Sequence, residues 1–118
     1  MKLLTKPIRD KLIANGHAQD AVRGTNDEFD FEPVVKLFNP CGAGTWLLTE
    51  LDSEDPDIAF GLCDLGMQCP ELGNVRISEL ESIRGPFGIG IERDLHFQPN
   101  KTLMGYAREA NSLGRINA

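Results

Sequence analysis

The stretch that decides the fold covers residues 34–73, VVKLFNPCGAGTWLLTELDSEDPDIAFGLCDLGMQCPELG. Residues 34–38, 45–51 and 58–65 are apolar runs of strand length, separated by short turn-rich segments. The second run is apolar on both alternating faces, which is typical of a central strand, and short connections favour antiparallel neighbours. The stretch therefore predicts a three-stranded β-meander. Its predicted core residues are Trp46, Leu48, Phe60 and Leu62.

A helix and an acidic loop are predicted before this meander. Thr5 can cap a helix that carries Pro7 in its first turn, and apolar residues recur in it at helical spacing. We expect this helix to continue through Asn15-Gly16 to Arg23, since one glycine costs only about 1 kcal/mol. Residues 24–33 are acidic and turn-rich, and this composition indicates a loop.

The chain after the meander predicts two more strands and a short helix. Residues 74–77 fit a fourth strand, and the second half of residues 86–97 fits a fifth strand or an extended arm. Between them, Ser78-Glu79-Leu80-Glu81 has the form of a capping box, in which Ser78 accepts a backbone hydrogen bond and Glu81 reaches back. These elements extend the meander into a sheet of four or five strands.

A last helix completes an α+β fold. Asn100 or Thr102 can cap this helix, and Gly114 is a natural stop. We expect an antiparallel sheet with the N-terminal and C-terminal helices packed on one face. The predicted organisation is a single domain: residues 1–33 form the first helix and the acidic loop, 34–77 the meander, and 78–118 the short helix, the extended strand and the last helix.

Composition narrows the class of protein. A chain of 118 residues with 41% hydrophobic residues builds one core. The absence of an apolar run near the ~20 residues of a membrane helix predicts a cytoplasmic protein with no membrane partner. A net charge of -6 disfavours nucleic acid as a partner, since the field repels polyanions. Three cysteines favour free thiols over a disulfide framework.

The three cysteines and the glycine-rich turn after Cys41 have the residue types of phosphate-binding, metal-binding or catalytic sites. Their spacing does not match a recognised motif of these kinds. Residues 41–45, CGAGT, resemble a phosphate-binding loop but lack its Lys and precede a strand, so a hairpin turn is favoured. A zinc site or a cysteine nucleophile with a histidine base is the alternative, although the spacing is unlike that of metal knuckles. We therefore expect no cofactor. The residues of the zinc alternative are Cys41, Cys63, Cys69 and His96.

Two sets of acidic residues are the better site candidates. At strand spacing, Glu92, Asp94 and His96 share one face, where they are candidates for acid–base catalysis or ion binding, or else for solvated ion pairs. Asp64 is a further catalytic candidate, because it shares a face with apolar residues; the alternative is that it caps the turn at Gly66. The second set is an acidic loop that we predict to contact a partner: Asp52, Glu54, Asp55 and Asp57.

Several phrases carry a family resemblance: VVKLFNPCGAGTWLLTELD, AFGLCDLGMQCPELG, ISELESIRGPFGIGIERDLHF and LMGYA. With them, the chain resembles the bacterial family catalogued as domain of unknown function 2958, from about residue 34 to 107. The resemblance implies a small standalone protein, of a kind often encoded on plasmids and integrative conjugative elements of proteobacteria. It implies no activity and no catalytic residues.

Three classes of function stay open at this point. The first is a non-enzymatic interaction protein or accessory factor of a mobile genetic element that modulates host defence, with a protein partner and room for a homodimer. The second is a small metal-dependent or acid–base enzyme that uses the Glu92, Asp94 and His96 face. The third is a nucleic-acid-binding accessory protein, whose cations would be Arg76, Arg84, Arg93 and Lys101.

Overall fold

A computed structural model describes residues 2–118 and contains one five-stranded antiparallel sheet. The strand order is β4-β3-β2-β1-β5, so β2 is central and the predicted meander is confirmed. The strands are β1 Val35–Phe38, β2 Thr45–Leu51, β3 Ile58–Asp64, β4 Glu71–Arg76 and β5 Glu92–Arg93. Within residues 2–118, no helix combines the length and the apolar character that crossing a membrane requires.

Three helices accompany the sheet: α1 Lys6–Asp20, α2 Ile77–Ser82 and α3 Leu103–Leu113. Thr5 caps α1 as predicted, since its Oγ1 accepts a hydrogen bond from the Ile8 amide at 3.4 Å. The helix passes through Asn15-Gly16 but ends at Asp20, short of the predicted Arg23. Thr102 caps α3, and Gly114 ends it in the left-handed conformation.

The two long helices lie on opposite faces of the sheet, so the expectation that they share one face is wrong. Leu12 of α1 packs with Trp46 and Leu48, whereas α3 packs with Leu47 and Leu62. Successive residues of a strand point to opposite faces, and the central strand β2 is apolar on both. Each face of the sheet therefore needs a helix to bury its apolar side chains. The predicted core residues are divided between two clusters, one on each face.

The two outer strands differ from their predicted bounds. β4 begins at Glu71, because Glu71–Arg76 pairs in unbroken register with β3 despite its turn-forming residues. β5 is only two residues long, and Arg93 and Glu92 pair with Leu37 and Phe38 of β1. Pairing with a neighbouring strand, which is a non-local contact, decides both bounds.

The predicted capping box of α2 is wrong, because a different carboxylate satisfies the start of this helix. Arg76 is the N-cap residue and makes no side-chain capping bond. Asp57, from the β2–β3 loop, accepts hydrogen bonds from the Ser78 amide at 2.9 Å and the Ser78 hydroxyl at 2.6 Å. Glu81 instead accepts a hydrogen bond from the Leu3 amide at 3.1 Å.

A β-bulge interrupts β2 near its end. Leu48 pairs with Gly61, but Glu50 pairs with Phe60, so Thr49 is an extra residue in the ladder. Asn15 of α1 stabilises this bulge, since its Nδ2 donates to the Thr49 carbonyl at 2.9 Å. Bulges re-aim side chains and are frequent beside functional sites. Here the bulge places Glu50 on the same face as Phe60, the α3 side of the sheet.

Candidate functional site

The re-aimed Glu50 lines a hollow of about 340 Å³ at the end of the sheet where β2 finishes. We call this feature the Glu50 hollow. Three of its lining residues form a cross-strand row, in which Glu50 of β2 pairs with Phe60 of β3 and Phe60 pairs with Asn74 of β4. Among the described residues, the hollow is lined by Arg23, Glu50, Asp52, Ile58, Phe60 and Asn74.

Glu50 is a buried carboxylate with one cationic neighbour. Its side chain is 7% exposed, and Arg23 Nη2 contacts Glu50 Oε1 at 3.2 Å and Asp20 Oδ1 at 3.0 Å. Burial raises the pKa of Glu50, and the ion pair with Arg23 offsets this rise only in part. Hydrogen bonds from the Ser53 hydroxyl and from Arg23 lower the pKa of Asp20. The guanidinium of Arg23 thus pairs with the carboxylates of both Asp20 and Glu50.

Sequence reasoning did not select Glu50 or Arg23 as site residues. The available signal was a glutamate within TWLLTEL, a run in the central strand that is otherwise free of charge. Glutamate is almost never buried unless it is paired. Its partner could not be identified from the pattern, because Arg23 lies after the end of α1 and far away in the chain.

Glu50→Gln is expected to raise the unfolding temperature at about pH 7 and to leave it unchanged near pH 4. The folded-state pKa of Glu50 is raised, so stability present below the ordinary pKa of this group is lost as pH rises through the raised value. An amide does not ionise and avoids that loss. Thermal unfolding across this pH range tests the prediction, and Glu79→Gln, an exposed change on α2, is the matched control. A Glu50→Gln protein less stable than wild type at pH 7 would contradict it.

The predicted interaction residues of the acidic loop have largely internal contacts. Asp52 Oδ1 accepts hydrogen bonds from the amides of Glu54 at 2.8 Å and Asp55 at 3.0 Å. Asp55 pairs with Arg76 at 3.1 Å, and Asp57 holds the start of α2. Ser78 and Arg76 lower the pKa of Asp57 by hydrogen bonding. Asp52 and Glu54 are the exposed members of the set, and Asp52 also lines the Glu50 hollow.

The predicted strand face of Glu92, Asp94 and His96 does not continue beyond Arg93, where β5 ends. Asp94 starts a turn, since its Oδ1 accepts a hydrogen bond from the His96 amide at 2.9 Å and its Oδ2 pairs with Lys36 at 3.4 Å. These partners lower the pKa of Asp94, which suits an ionised structural group better than a proton donor. Glu92 and His96 still border one shallow hollow with Asp94.

Asp64 has the capping role that was its alternative assignment. The side chain is buried, its Oδ1 accepts from the Gly66 amide at 2.8 Å, and its Oδ2 accepts from the Ile116 amide at 3.0 Å. The turn at residues 41–45 is a hairpin turn as predicted, with the Asn39 amide bonded to the Gly44 carbonyl at 2.9 Å. The hydrogen bonds of Asp64 connect the end of β3 to the C-terminal segment, and the hairpin turn connects β1 to β2.

The three cysteines are free thiols. Cys41 and Cys69 are exposed, whereas Cys63 is half-buried beside the α1-side cluster, and burial raises its pKa. Within residues 2–118, no three His, Cys, Asp or Glu side chains come together as a group that could hold a metal ion. The tetrahedral set of Cys41, Cys63, Cys69 and His96 is therefore not assembled.

A second feature lies at the opposite end of the sheet, beside the β1–β2 hairpin turn. Residues 84–90 form a tight turn, which we call the Phe87 turn, closed by a bridge between Arg84 and Gly90. The Phe87 side chain is 100% exposed, and its backbone has φ 60° and ψ 20°. A positive φ is uncommon for a bulky residue and often marks a functional site.

Hydrogen bonds hold the Phe87 turn in this conformation. The Gly85 amide donates to the Ile89 carbonyl at 2.7 Å, and the Ile89 amide donates to the Pro86 carbonyl at 3.2 Å. Arg84 Nη1 donates to the carbonyls of Glu81 at 2.6 Å and Ile83 at 2.8 Å. The turn therefore presents one aromatic side chain on a fixed backbone. The sequence patterns predicted a strand or extended arm in the second half of residues 86–97 and did not select Phe87.

Comparison with known proteins places the whole fold in one family. No curated protein and no solved structure matches this chain. The family model described as a protein of unknown function (DUF2958) matches residues 3–117. This match covers α1, the five-stranded sheet, the Glu50 hollow, the Phe87 turn and α3. The chain therefore belongs to the DUF2958 family.

Proposed function

We propose that this protein is a non-enzymatic interaction factor that docks on a partner protein through the Phe87 turn. The observation that carries this proposal is the fully exposed Phe87 in a left-handed backbone conformation. Leaving a phenyl ring in water forgoes about 2 kcal/mol of burial, and the positive φ costs about 1–2 kcal/mol more. Insertion of the ring into an apolar cleft of a partner recovers the burial term.

The turn also limits the entropy that docking would cost. Its backbone is held by its own hydrogen bonds, and Pro86 has a restricted φ. Ile89, which is 38% exposed, adds apolar surface beside the ring. Pre-organised aromatic anchors surrounded by weaker contacts are typical of interface hot spots. The partner surface that fits is an apolar cleft wide enough for one phenyl ring.

Phe87→Ala is expected to weaken partner binding at least about 30-fold, since hot-spot truncations cost ~2 kcal/mol or more. The partner is first captured in host cells with a photo-crosslinking phenylalanine analogue at position 87, then purified and titrated by calorimetry. The matched control is Leu95→Ala, because Leu95 is 75% exposed in the turn after β5. A dissociation constant for Phe87→Ala within threefold of wild type would rule the proposal out.

A second pair of variants distinguishes weaker partner binding from loss of folding. Phe87→Asn is expected to stabilise the protein by about 1 kcal/mol, because asparagine tolerates the left-handed conformation. Gln68, at φ 62°, is the other non-glycine residue with positive φ within residues 2–118, and Gln68→Asn supplies the matched relief of strain. The Asn variant at 87 should lose binding, and the one at 68 should keep it.

The wider role that we propose is that of an accessory factor of a mobile genetic element that modulates host defence. The family resemblance supports this setting, and the Phe87 turn supports a protein target. Plasmid transfer into restriction-positive and restriction-negative recipients provides the test. We expect the wild-type gene to raise transfer into restricting cells and Phe87→Ala to abolish this gain. Equal transfer with and without the gene would exclude the defence role while leaving binding through Phe87 to be judged by calorimetry.

A further inference from the structure

We infer that the Glu50 hollow is a binding site for a guanidinium group, which lies against Phe60 and donates hydrogen bonds to Glu50 and Asp52. This inference concerns the end of the sheet opposite the Phe87 turn and does not rest on the proposed docking there. Four observations carry it: the burial of Glu50, its incomplete pairing, the charge of the lining, and the apolar side chains in the lining.

The first two observations concern Glu50. The side chain is more than nine-tenths buried, yet it lines an open hollow. Within residues 2–118, its carboxylate accepts a hydrogen bond only through Oε1, from Arg23, so Oε2 is free for a donor. This oxygen is not among the buried polar atoms that lack a partner, so it keeps contact with solvent and a donor in the hollow can reach it. A second cationic donor would supply the missing partner.

The charge of the lining selects a cation over an anion. Glu50 and Asp52 line the hollow, and among residues 2–118 Arg23 is the one cationic lining residue. Arg23 also pairs with Asp20, so its positive charge is divided between two carboxylates. Asp52 uses Oδ1 for the amides of its own loop, and within residues 2–118 nothing donates to its Oδ2.

The apolar part of the lining favours a planar cation over a compact one. Phe60 and Ile58 contribute apolar side chains to the lining of the hollow, and Asn74 contributes an amide group. A guanidinium is weakly hydrated, stacks on aromatic faces and carries five donors in a fork, whereas an ammonium is strongly hydrated. The volume of about 340 Å³ lies at the lower end of the range for ligand pockets. It suits a single side chain or a small guanidino compound.

The test is a titration of the labelled full-length protein followed by amide chemical shifts. The probes are methylguanidinium, arginine amide and an acetylated peptide with one arginine; the controls are citrulline, which is neutral, and methylammonium. We expect saturable shifts at residues 52, 60 and 74, with a dissociation constant of about 1 mM or tighter for the guanidinium probes. Citrulline should bind at least ten times more weakly.

Glu50→Gln should weaken guanidinium binding at least tenfold, while the exposed control Glu79→Gln should leave it unchanged. Asn74→Trp, which fills the hollow from an exposed position, is a second blocking variant should the first fail to fold. A peptide that binds ten times tighter than methylguanidinium would identify an arginine of a partner protein as the occupant, and equal affinities would identify a free guanidino compound. Equal binding of citrulline, or unchanged binding in both blocking variants, would overturn the inference.

Discussion

Gly61→Ala is expected to destabilise the protein by at least about 3 kcal/mol, because the added methyl group has no space between two central strands. A Cβ at Gly61 would lie 1.9 Å from the Leu47 carbonyl oxygen and 2.8 Å from the Leu48 Cα. Both contacts are with backbone atoms of β2, so no side-chain rotation relieves them. The strands would have to separate where β2 and β3 form the middle of the sheet.

The cross-strand partner of Gly61 supplies a matched control. Gly73 of β4 pairs directly with Gly61, and a Cβ at Gly73 would meet nothing within 4 Å. Gly73→Ala should therefore be neutral or stabilise the protein by up to about 1 kcal/mol, since alanine loses less conformational entropy on folding. Urea unfolding of both variants measures the contrast. A loss below 1 kcal/mol for Gly61→Ala, or equal losses at the two positions, would contradict the steric explanation.

Asp64→Ala is expected to cost about 2–5 kcal/mol, because it leaves two backbone N–H groups without their acceptor. The two groups are the amides of Gly66 and Ile116, which donate to the two oxygens of Asp64. The side chain is 5% exposed, and Ile116 belongs to the α3-side cluster. The substitution therefore weakens the turn after β3 and also the attachment of the C-terminal segment.

Asp64→Asn separates these two contributions. Its single amide oxygen can accept only one of the two hydrogen bonds, so we expect about half of the loss seen with alanine. Hydrogen exchange of the Ile116 amide, measured beside urea unfolding, reports which bond survives. A loss below about 1 kcal/mol for Asp64→Ala would show that Asp64 is not a structural cap and would return it to the catalytic candidates.

Much of the fold could be predicted because its signals are local. The alternation in residues 45–51 predicted both the bounds and the central position of β2, and Thr5 and Gly114 mark the ends of helices where the structure has them. The capping of α2 was not predictable in the same way. Its acceptor, Asp57, lies about twenty residues before the helix and reaches it only through the folded β2–β3 loop.

The candidate sites were harder to predict than the fold. The acidic residues that sequence patterns selected are largely engaged in turns, caps and ion pairs. The burial of Glu50 depends on a bulge at Thr49, which Asn15 of α1 stabilises. The exposure and the left-handed backbone of Phe87 likewise follow from the hydrogen bonds that close its turn.

By itself, the sequence determined the β-meander, the central place of β2, the N-terminal cap of α1 and the C-terminal end of α3, because these follow from periodicity and capping between near neighbours. Only the tertiary structure decided that the long helices cover opposite faces, that Arg23 meets Glu50, and that Phe87 points into solvent. These features depend on contacts between residues far apart in the chain. Local patterns carry no information about which distant residues will meet.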